Sequence, residues 1–228
     1  MVEERAKGKP LGHVIGRQQF LGVELIVASG ALVPREETEL LARTALRRIG
    51  ELVSTPKLID MCCGVGNLAC AIAVHAPQAR AWASDLTDGC IAVARRNVEH
   101  LGLGDRVTVL QGDLFTPLVG LELEGEIDVV ICNPPYISTG RLSGDRASLL
   151  EHEPREAFDA GPYGLAIHQR VVKEALPYLR VGGWLMFEIG VGQDRQVKLL
   201  FDRTRAYEDV ELVSDEGGNP RVIIGRKK

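Results

Sequence analysis

The chain has 228 residues, enough to bury one sizeable core, and its 45% hydrophobic and 25% charged residues are the proportions of an ordinary globular protein. Its net charge of −4 argues against general binding to nucleic-acid phosphates, which requires a basic surface. No apolar run approaches the roughly 18 residues of a membrane helix, and the charged start of the chain lacks the apolar region of a secretory signal, so we expect no membrane partner.

The cysteines also limit the possible functions. The five of them show none of the paired spacings that are typical of a metal site, so the sequence predicts no metal. Most have apolar or small neighbours and are expected to behave as small buried hydrophobic side chains. Cysteines of this kind are usual in a reducing compartment, and we therefore expect a cytoplasmic protein.

The first part of the chain, residues 1–35, is predicted to be an arm. Short apolar segments at Val14–Ile15 and Val23–Val27 flank Gly16 and Gly22. This pattern predicts a short extended hairpin rather than core strands of a larger sheet.

A main domain, residues 36–228, is predicted to follow the arm and to begin with a helix from Glu36 to Ile49. Acidic residues in the first turn and Gly50 after the end support this helix. Strands and helices then alternate. Strands are predicted at Lys57–Cys62, Ala79–Asp85, Arg106–Gln111, Ile127–Cys132 and Gly183–Ile189. Helices are predicted at Asn67–His75, Asp88–Leu101, Leu165–Leu179 and Gln193–Thr204.

This alternation predicts the α/β class, with a Rossmann-like, seven-stranded, mostly parallel sheet and helices on both faces. Asp209–Val213 and Arg221–Gly225 are separated by a short polar turn, so we expect them to form a C-terminal antiparallel hairpin. Ile137–Gly164 is long and lacks clear periodicity, which is typical of a lid or binding loop.

Two glycines lie where the first strand of the main domain turns into its first helix. Gly64 and Gly66 would let a ligand approach the backbone, and the helix start offers free N–H groups to an anionic group. Asp85 lies 19 positions after Gly66, at the end of the second strand, where a carboxylate can accept both hydroxyl hydrogens of a ribose. NAD and S-adenosylmethionine both satisfy this pattern.

Two further carboxylates favour S-adenosylmethionine. Asp60 ends the first strand beside the glycines, where it would repel a diphosphate but attract a sulfonium or ammonium group. Asp113 follows the third strand and can accept a hydrogen bond from an adenine amino group. Alternatively, Asp60 caps the helix and Asp113 a turn. We also assign to the cofactor site Cys62, Leu86, Leu114 and Asn133.

A rigid polar tetrapeptide, Asn133-Pro134-Pro135-Tyr136, follows the strand that ends at Cys132. The prolines stiffen the segment and remove competing N–H donors, so the Asn133 oxygen and a main-chain carbonyl are free to accept two hydrogen bonds. The Tyr136 ring offers a face for stacking. A planar NH2 group requires such a holder, because its lone pair is delocalised and it must be positioned beside an activated methyl group. The motif therefore predicts methyl transfer to a planar nitrogen, with Asn133, Pro134 and Tyr136 as catalytic residues.

In these residues the chain resembles the protein-(glutamine) methyltransferases that modify peptide chain release factors. The resemblance extends from Pro10 to the end of the chain and covers the cofactor loop, the ribose carboxylate and the tetrapeptide. Further matching segments are Pro10–Gly16, Leu32–Leu41, Glu153-Pro154, Ala157-Phe158, Gly161, Gly164 and Gly182–Gly190.

The resemblance implies a methyltransferase with S-adenosylmethionine as cofactor. It implies that Asn133 and Pro134 bind the glutamine amide, together with Pro135 and Tyr136. It also implies that three residues lie near the active site and contact the substrate: Phe20, Arg35 and Thr38.

The sequence departs from the family pattern in the cofactor loop and at the N-terminus. Cys62 stands where the family has glycine, Cys63 where it has threonine, and Glu36 where it has proline. About ten residues precede the hairpin, where the family has a helical domain that docks the protein substrate. A small-molecule N-methyltransferase of secondary metabolism therefore stays open as an alternative to a protein substrate. Less favoured alternatives are a nucleic-acid base methyltransferase, an NAD-dependent oxidoreductase and an inactive binding module.

Overall fold

A computed structural model describes residues 1–144 and 147–228 of the chain. The strands form a two-stranded antiparallel sheet and a seven-stranded sheet. The small sheet consists of β1 (Arg17–Phe20) and β2 (Val23–Ile26). The strands of the large sheet are β3 (Lys57–Met61), β4 (Arg80–Asp85), β5 (Val107–Gln111), β6 (Ile127–Cys132), β7 (Leu179–Glu188), β8 (Tyr207–Ser214) and β9 (Pro220–Lys227).

Helices precede, connect and follow these strands. The α-helices are α1 (Val2–Ala6), α2 (Leu11–Ile15), α3 (Glu39–Gly50), α4 (Asn67–His75), α5 (Asp88–His100), α6 (Thr139–Ser143), α7 (Ala166–Glu174) and α8 (Asp194–Thr204). Short 3-10 turns lie at Glu36–Thr38, Thr116–Leu118, Ala147–Glu151 and Arg155–Ala157. Within residues 1–144 and 147–228, no helix combines the length and the apolar character needed to cross a membrane.

The order of strands in the large sheet is β5-β4-β3-β6-β7-β9-β8. Strands β3 to β7 run parallel, and β9 is antiparallel to both β7 and β8. This arrangement confirms the predicted seven-stranded α/β sheet and its closing hairpin. It also brings the carboxyl ends of β3, β4, β5 and β6 to one edge, where open sheets of this kind bind ligands.

The sheet is buried on both faces because successive side chains of each strand point in opposite directions. In β3, Leu58 packs in one apolar cluster and Ile59 in the other. Helices α3, α4 and α5 cover the first face, and α7 and α8 the second. The two clusters hold the sheet rigidly and thereby fix the positions of the loops at its carboxyl edge.

The small hairpin packs on the same core rather than standing apart from it. Phe20 and Leu25 belong to the cluster that covers the first face of the sheet. Asn97 of α5, which is fully buried, accepts a hydrogen bond from the Ile26 amide and donates to the carbonyls of Ile26 and Val65. One amide side chain thus connects the hairpin, α5 and the cofactor loop.

Several predicted boundaries were wrong. The strand predicted over Gly183–Ile189 runs from Leu179 to Glu188, and the helix predicted from Glu36 begins at Glu39 after a 3-10 turn. Val14–Ile15 was predicted to be extended, but it ends helix α2, because Gly16 at φ 76° closes that helix in the left-handed conformation. The hairpin begins only at Arg17. The helix predicted over Leu165–Leu179 ends at Glu174, and Leu179 starts β7. Pro177 lies between them, and a proline cannot continue a helix ladder.

Candidate active site

A cavity opens at the carboxyl edge of the sheet, between the cofactor loop and the tetrapeptide after β6. The parallel pairing of β3 with β6 places Met61 opposite Cys132, so Cys62 and Asn133 follow side by side at the strand ends. Many of the residues predicted from the sequence line this single cavity. They are Arg35, Thr38, Cys62, Gly64, Asp85, Leu86, Asp113, Leu114, Asn133 and Pro135.

The cofactor loop runs from Cys62 to Gly66 and leads into α4. Gly64 has φ 55°, and a β-carbon built on it would meet no heavy atom within 4 Å. Its backbone therefore faces open space in the cavity, which suits the close approach of a ligand. Gly66 has φ 78° and lies at the N-cap of α4, where a β-carbon would come within 3.3 Å of Ala94. Its role is to pack α4 against α5.

Cys62 occupies a backbone conformation that favours glycine. Its φ is 57°, in the left-handed region that few non-glycine residues adopt. The residue is half-buried and lines the cavity. The departure from the family pattern at this position therefore introduces both backbone strain and a thiol into the cofactor loop.

Asp85, at the end of β4, is fixed by the loop that it faces. Its Oδ2 accepts a hydrogen bond from the Gly64 amide at 2.9 Å, and its Oδ1 accepts from the amide and hydroxyl of Thr87 at 3.1 and 3.3 Å. A carboxylate has about four acceptor sites, so one site is free and the longest of these bonds can be exchanged. Such a group fits a ribose diol, the role predicted for it.

Asp60 caps α4 rather than lining the cavity. It is fully buried, and its Oδ2 accepts from the Ala69 amide at 3.0 Å. Its Oδ1 has no hydrogen-bond partner among the described residues. Burial raises the pKa of Asp60 to about 8. A cation bound nearby would stabilise the ionised form of this carboxyl, so its capping position still allows an electrostatic effect on a sulfonium ligand.

The part of the cavity predicted to receive adenine has apolar walls and an exposed carboxylate. Leu86, Leu114 and Ile167 line it. Asp113 lies on its rim, with its side chain 51% exposed, and its Oδ1 accepts from Arg170 at 2.9 Å. The same carboxylate that was predicted to accept from adenine thus already has a cationic partner.

Asn133 presents its carboxamide to the cavity, next to Thr38. Its Nδ2 donates to the Thr38 hydroxyl oxygen at 3.1 Å, and Thr38 is only 2% exposed. Its Oδ1 accepts no hydrogen bond from the described residues, and the residue lines the cavity. The free group of this amide is therefore an acceptor, as binding of an NH2 group requires.

Tyr136 and Pro134 support the tetrapeptide from behind the cavity wall. Pro134 is buried, and neither residue lines the cavity. The Tyr136 hydroxyl donates to Glu188 Oε1 at 3.4 Å, and burial raises the pKa of Tyr136 to about 12. The geometry gives Tyr136 a supporting position instead of the predicted stacking position.

Phe20, predicted to lie near the active site, is 1% exposed and packs in the core with Leu25 and Leu41. It does not line the cavity. Arg35 does line the cavity, where it pairs with the buried Glu153. Glu153 also accepts from the Val33 amide at 3.0 Å.

Glu153 thereby fixes the long loop predicted over Ile137–Gly164 to the segment before α3. Four residues from this loop line the cavity: Pro154, Glu156, Ala157 and Asp159. The loop therefore forms part of the wall, as expected of a binding loop.

Several cavity residues were missed by sequence reasoning. They are Leu32, Pro34, Ser84, Thr87, Cys90 and Ile167. Thr87 had a usable signal, because a threonine before Asp88 at a helix start is typical of an N-cap, and its hydroxyl accepts from the Cys90 amide at 3.3 Å. Ile167 had none, since it projects from α7, far along the chain.

The parts of the cavity match S-adenosylmethionine in chemistry. An open glycine backbone, a ribose-compatible carboxylate and apolar adenine walls lie next to an amide oxygen that can accept from an NH2 group. Bound there, the cofactor would supply an electrophilic methyl group. The residues of this chain would hold the acceptor nitrogen and orient it.

Comparisons with known proteins agree with this geometry. Residues 36–156 match the family model described as methyltransferase small domain. A release factor glutamine methyltransferase of Geobacter sulfurreducens is 38% identical, over 99% of this chain and 76% of that protein. One of Moorella thermoacetica is 36% identical, over 100% of this chain and 78% of that protein. The solved structure of a methyltransferase from Pyrococcus furiosus has a TM-score of 0.63 at 16% identity, covering 100% of this chain and 99% of that one.

Proposed function

The chain belongs to the release factor glutamine methyltransferase family, and from this premise we propose that it methylates the side-chain amide nitrogen of a glutamine in a peptide chain release factor. It is a methyltransferase that uses S-adenosylmethionine. The proposal concerns the acceptor and the residues that hold it. We also propose that residues 36–228 form the transferase domain and residues 1–35 an arm attached to it.

One observation carries the proposal: the Asn133 side chain lines the cavity, its Nδ2 is bound to Thr38, and its Oδ1 has no partner among the described residues. A glutamine carboxamide has two N–H donors, and only an acceptor can bind them. With Nδ2 engaged by Thr38 at 3.1 Å, Oδ1 is the atom that Asn133 offers. Pro134 and Pro135 add no N–H donors that would compete for this site.

The amide nitrogen of glutamine is a poor nucleophile because its lone pair is delocalised into the carbonyl group. Asn133 Oδ1 would hold one N–H and so orient the lone pair toward the cofactor loop. As the methyl group transfers, positive charge develops on the nitrogen and the acceptor bond strengthens. The proton becomes acidic at that stage, so no strong general base is required.

On the cofactor side we assign four roles to residues of this chain. Gly64 allows close approach of the methionine part, and Asp85 accepts from the ribose hydroxyls. Leu86 and Leu114 pack against the adenine ring. Asp60 acts through its charge rather than by contact, because it does not line the cavity.

The test is methyl transfer in vitro. The full chain is incubated with isotope-labelled S-adenosylmethionine and a purified bacterial release factor, and labelled peptides are mapped by tandem mass spectrometry. The proposal predicts one methyl group on one glutamine side chain. Replacing that glutamine by asparagine in the release factor should abolish labelling.

Two results would contradict the proposal. One is an enzyme that binds S-adenosylmethionine but leaves the release factor unlabelled while it methylates a small amide or amine. The other is label on a residue other than glutamine. The matched control is Asn133→Ala, which should bind cofactor and transfer no methyl group to either acceptor.

A further inference from the structure

Arg35 places a positive charge in the wall of the cavity that we assign to a cationic cofactor. Among the described residues that line this cavity, Arg35 is the only basic one, and four are acidic: Asp85, Asp113, Glu156 and Asp159. S-adenosylmethionine carries a positive sulfonium group, and like charges in one cavity repel each other. An uncompensated guanidinium at this place would therefore weaken the binding of the cofactor.

Glu153 is the counter-ion of Arg35. Arg35 Nη2 donates a hydrogen bond to Glu153 Oε2 at 2.5 Å, and the side chains of the two residues are 34% and 3% exposed. Glu153 does not line the cavity, so its carboxylate lies behind the wall to which Arg35 belongs. Because the carboxylate is buried, salt screens this pair less than it screens a pair on the surface.

The position of Glu153 is also fixed by the backbone. Its Oε1 accepts a hydrogen bond from the Val33 amide at 3.0 Å, two residues before Arg35. Both carboxylate oxygens therefore have partners in the segment before α3, as a carboxylate removed from water requires. The orientation of Glu153 is thus defined, and so is the place of the guanidinium that it binds.

Arg35 keeps donors for a ligand although its charge is compensated. A guanidinium has five N–H donors, and the described residues provide an acceptor for its side chain only at Glu153. The remaining N–H groups are available to a ligand in the cavity. The ion pair therefore separates two properties of arginine, because it retains the hydrogen-bond donors while it removes the net charge.

We propose that Glu153 is a positioning residue that acts through Arg35. It holds the guanidinium in the cavity wall and neutralises its charge, so that the sulfonium group of S-adenosylmethionine can bind in the same cavity. Glu153 does this without lining the cavity itself. The inference goes beyond the proposed function, since it concerns the cofactor and holds for any methyl acceptor.

A comparison of S-adenosylmethionine with S-adenosylhomocysteine isolates the effect of charge. The two ligands differ by the methyl group and the sulfonium charge, and they share the adenosine and amino-acid parts. Their dissociation constants are measured by calorimetry on the full chain. The constant for S-adenosylhomocysteine divided by that for S-adenosylmethionine is the preference ratio. A distorted cavity weakens both ligands together and leaves this ratio unchanged, whereas an added positive charge lowers it.

Glu153→Gln keeps the size of the side chain and removes the counter-charge. We expect the preference ratio to fall about three- to tenfold, because Arg35 then repels the sulfonium group. The fall should become smaller as salt is raised from about 0.05 M to about 0.5 M, since ions screen the repulsion. In the double variant Arg35→Met with Glu153→Gln, neither charge is present, and the ratio should return to within about twofold of that of the unchanged protein.

Asp128→Asn is the matched control. Asp128 is also a buried carboxylate that accepts from a backbone amide, that of Lys57 at 2.8 Å, and from an arginine, Arg180 Nε at 2.6 Å. It does not line the cavity, and it lies beside the start of β3, away from the carboxyl edge of the sheet. This variant should lower the thermal midpoint, as loss of a buried ion pair does, without changing the preference ratio.

Arg35→Met is a second variant with an effect of opposite sign. It leaves the Glu153 carboxylate uncompensated behind the cavity wall, so the preference ratio should rise about threefold. If Glu153→Gln does not fold, as judged by its thermal midpoint, Arg35→Met carries the test. An unchanged or lower ratio in Arg35→Met would then contradict the proposal.

The proposal is overturned if Glu153→Gln folds and its preference ratio stays within about twofold of that of the unchanged protein, because the charge of Arg35 is then not felt in the cavity. It is also overturned if Asp128→Asn lowers the ratio equally. None of these measurements contains a release factor. A chain that shows the expected ratios but does not methylate a release factor would refute the proposed function and leave the role of Glu153 standing.

Discussion

The two halves of the cavity are built by different means. In the cofactor half, formed by the loop after β3 and the end of β4, the hydrogen bonds join residues close in sequence. Asp60 binds an amide 9 residues away, and Asp85 binds amides 21 and 2 residues away. In the acceptor half, formed by Thr38, the tetrapeptide and Glu188, the partners are 95 and 52 residues apart.

The difference predicts how each half responds to substitution. The cofactor half belongs largely to one strand–helix–strand unit and uses backbone amides and a helix cap. The acceptor half is assembled from the turn before α3, the end of β6, and strands β7 and β9, so it exists only in the complete fold. Changes in the acceptor half should therefore impair turnover while leaving cofactor affinity intact, and changes in the cofactor half should do the reverse.

The largest effect is expected from Asn133→Ala. Loss of the Asn133 amide oxygen, which lines the cavity, should lower kcat by about 100-fold or more. Dissociation constants for S-adenosylhomocysteine, measured by calorimetry, should change less than about twofold. A parallel loss of affinity and turnover would mean that the two halves are not separable.

Asp85→Ala should produce the opposite pattern. Removing a carboxylate that accepts ribose hydroxyls should raise the cofactor dissociation constant by about 10- to 100-fold, since hydrogen bonds to a charged group contribute about 1.5–3 kcal/mol. At saturating cofactor, kcat should fall by less than about fivefold. Asp113→Ala is the matched control: its carboxylate is half-exposed and bound to Arg170, so we expect less than a threefold change. Equal effects of the two variants would contradict the assignment of Asp85.

Cys62→Gly should raise the stability of the protein and its affinity for the cofactor. Relief of the left-handed conformation at φ 57° should raise the free energy of unfolding by about 0.5–1 kcal/mol, measured by denaturant titration, and removal of the thiol should tighten cofactor binding. Glu122→Gly is the control, because Glu122 has φ 54° in an exposed loop outside the cavity. It should gain similar stability with no change in affinity. Weaker cofactor binding in Cys62→Gly would show that the thiol contributes to the site.

The smallest effect is expected from the charge of Asp60. Burial raises its pKa to about 8, so the carboxyl is mostly protonated at pH 7 and ionises as the pH rises through 8. Binding of a cation favours the ionised form, and S-adenosylmethionine affinity should rise about three- to fivefold from pH 7 to pH 9. In Asp60→Asn this increase in affinity should be absent. The amine of S-adenosylmethionine also titrates in this range, but it does so equally with both proteins, so it does not affect the difference between them. If the affinity of the unchanged protein and of Asp60→Asn depended on pH in the same way, the role of Asp60 would be only to cap helix α4.

The same contrast explains what could be predicted from the sequence. Several residues of the cofactor half could be named from the sequence, because glycines, strand ends and a carboxylate follow one another within one unit. Which of them contact the cofactor stays a prediction. Thr38 and Asn133 could be named from a resemblance, but their contact could not, since 95 residues separate them. Glu188 lies in the matching segment Gly182–Gly190, but its contacts with Tyr136 and with Arg221 of β9 could not be predicted, because they join distant parts of the chain.

Phe20 and Tyr136 show a second limit of prediction from the sequence. Phe20 was assigned to the substrate from the resemblance and Tyr136 from its ring and its place in the tetrapeptide, and neither residue lines the cavity. A sequence pattern shows that an aromatic residue is required near a site, but tertiary packing decides whether it faces the ligand or supports the wall. The local sequence was also misleading at Val14–Ile15. These residues were predicted to be extended, but Gly16 in the left-handed conformation ends a helix there.

The most direct test of the whole account is a crystal structure of the enzyme with S-adenosylhomocysteine and a glutamine-containing release-factor fragment. We predict the glutamine amide nitrogen within hydrogen-bond distance of Asn133 Oδ1 and facing the cofactor sulfur, with Asn133 Nδ2 still on Thr38. A glutamine bound elsewhere, or an Asn133 amide turned with its nitrogen toward the substrate, would contradict the account.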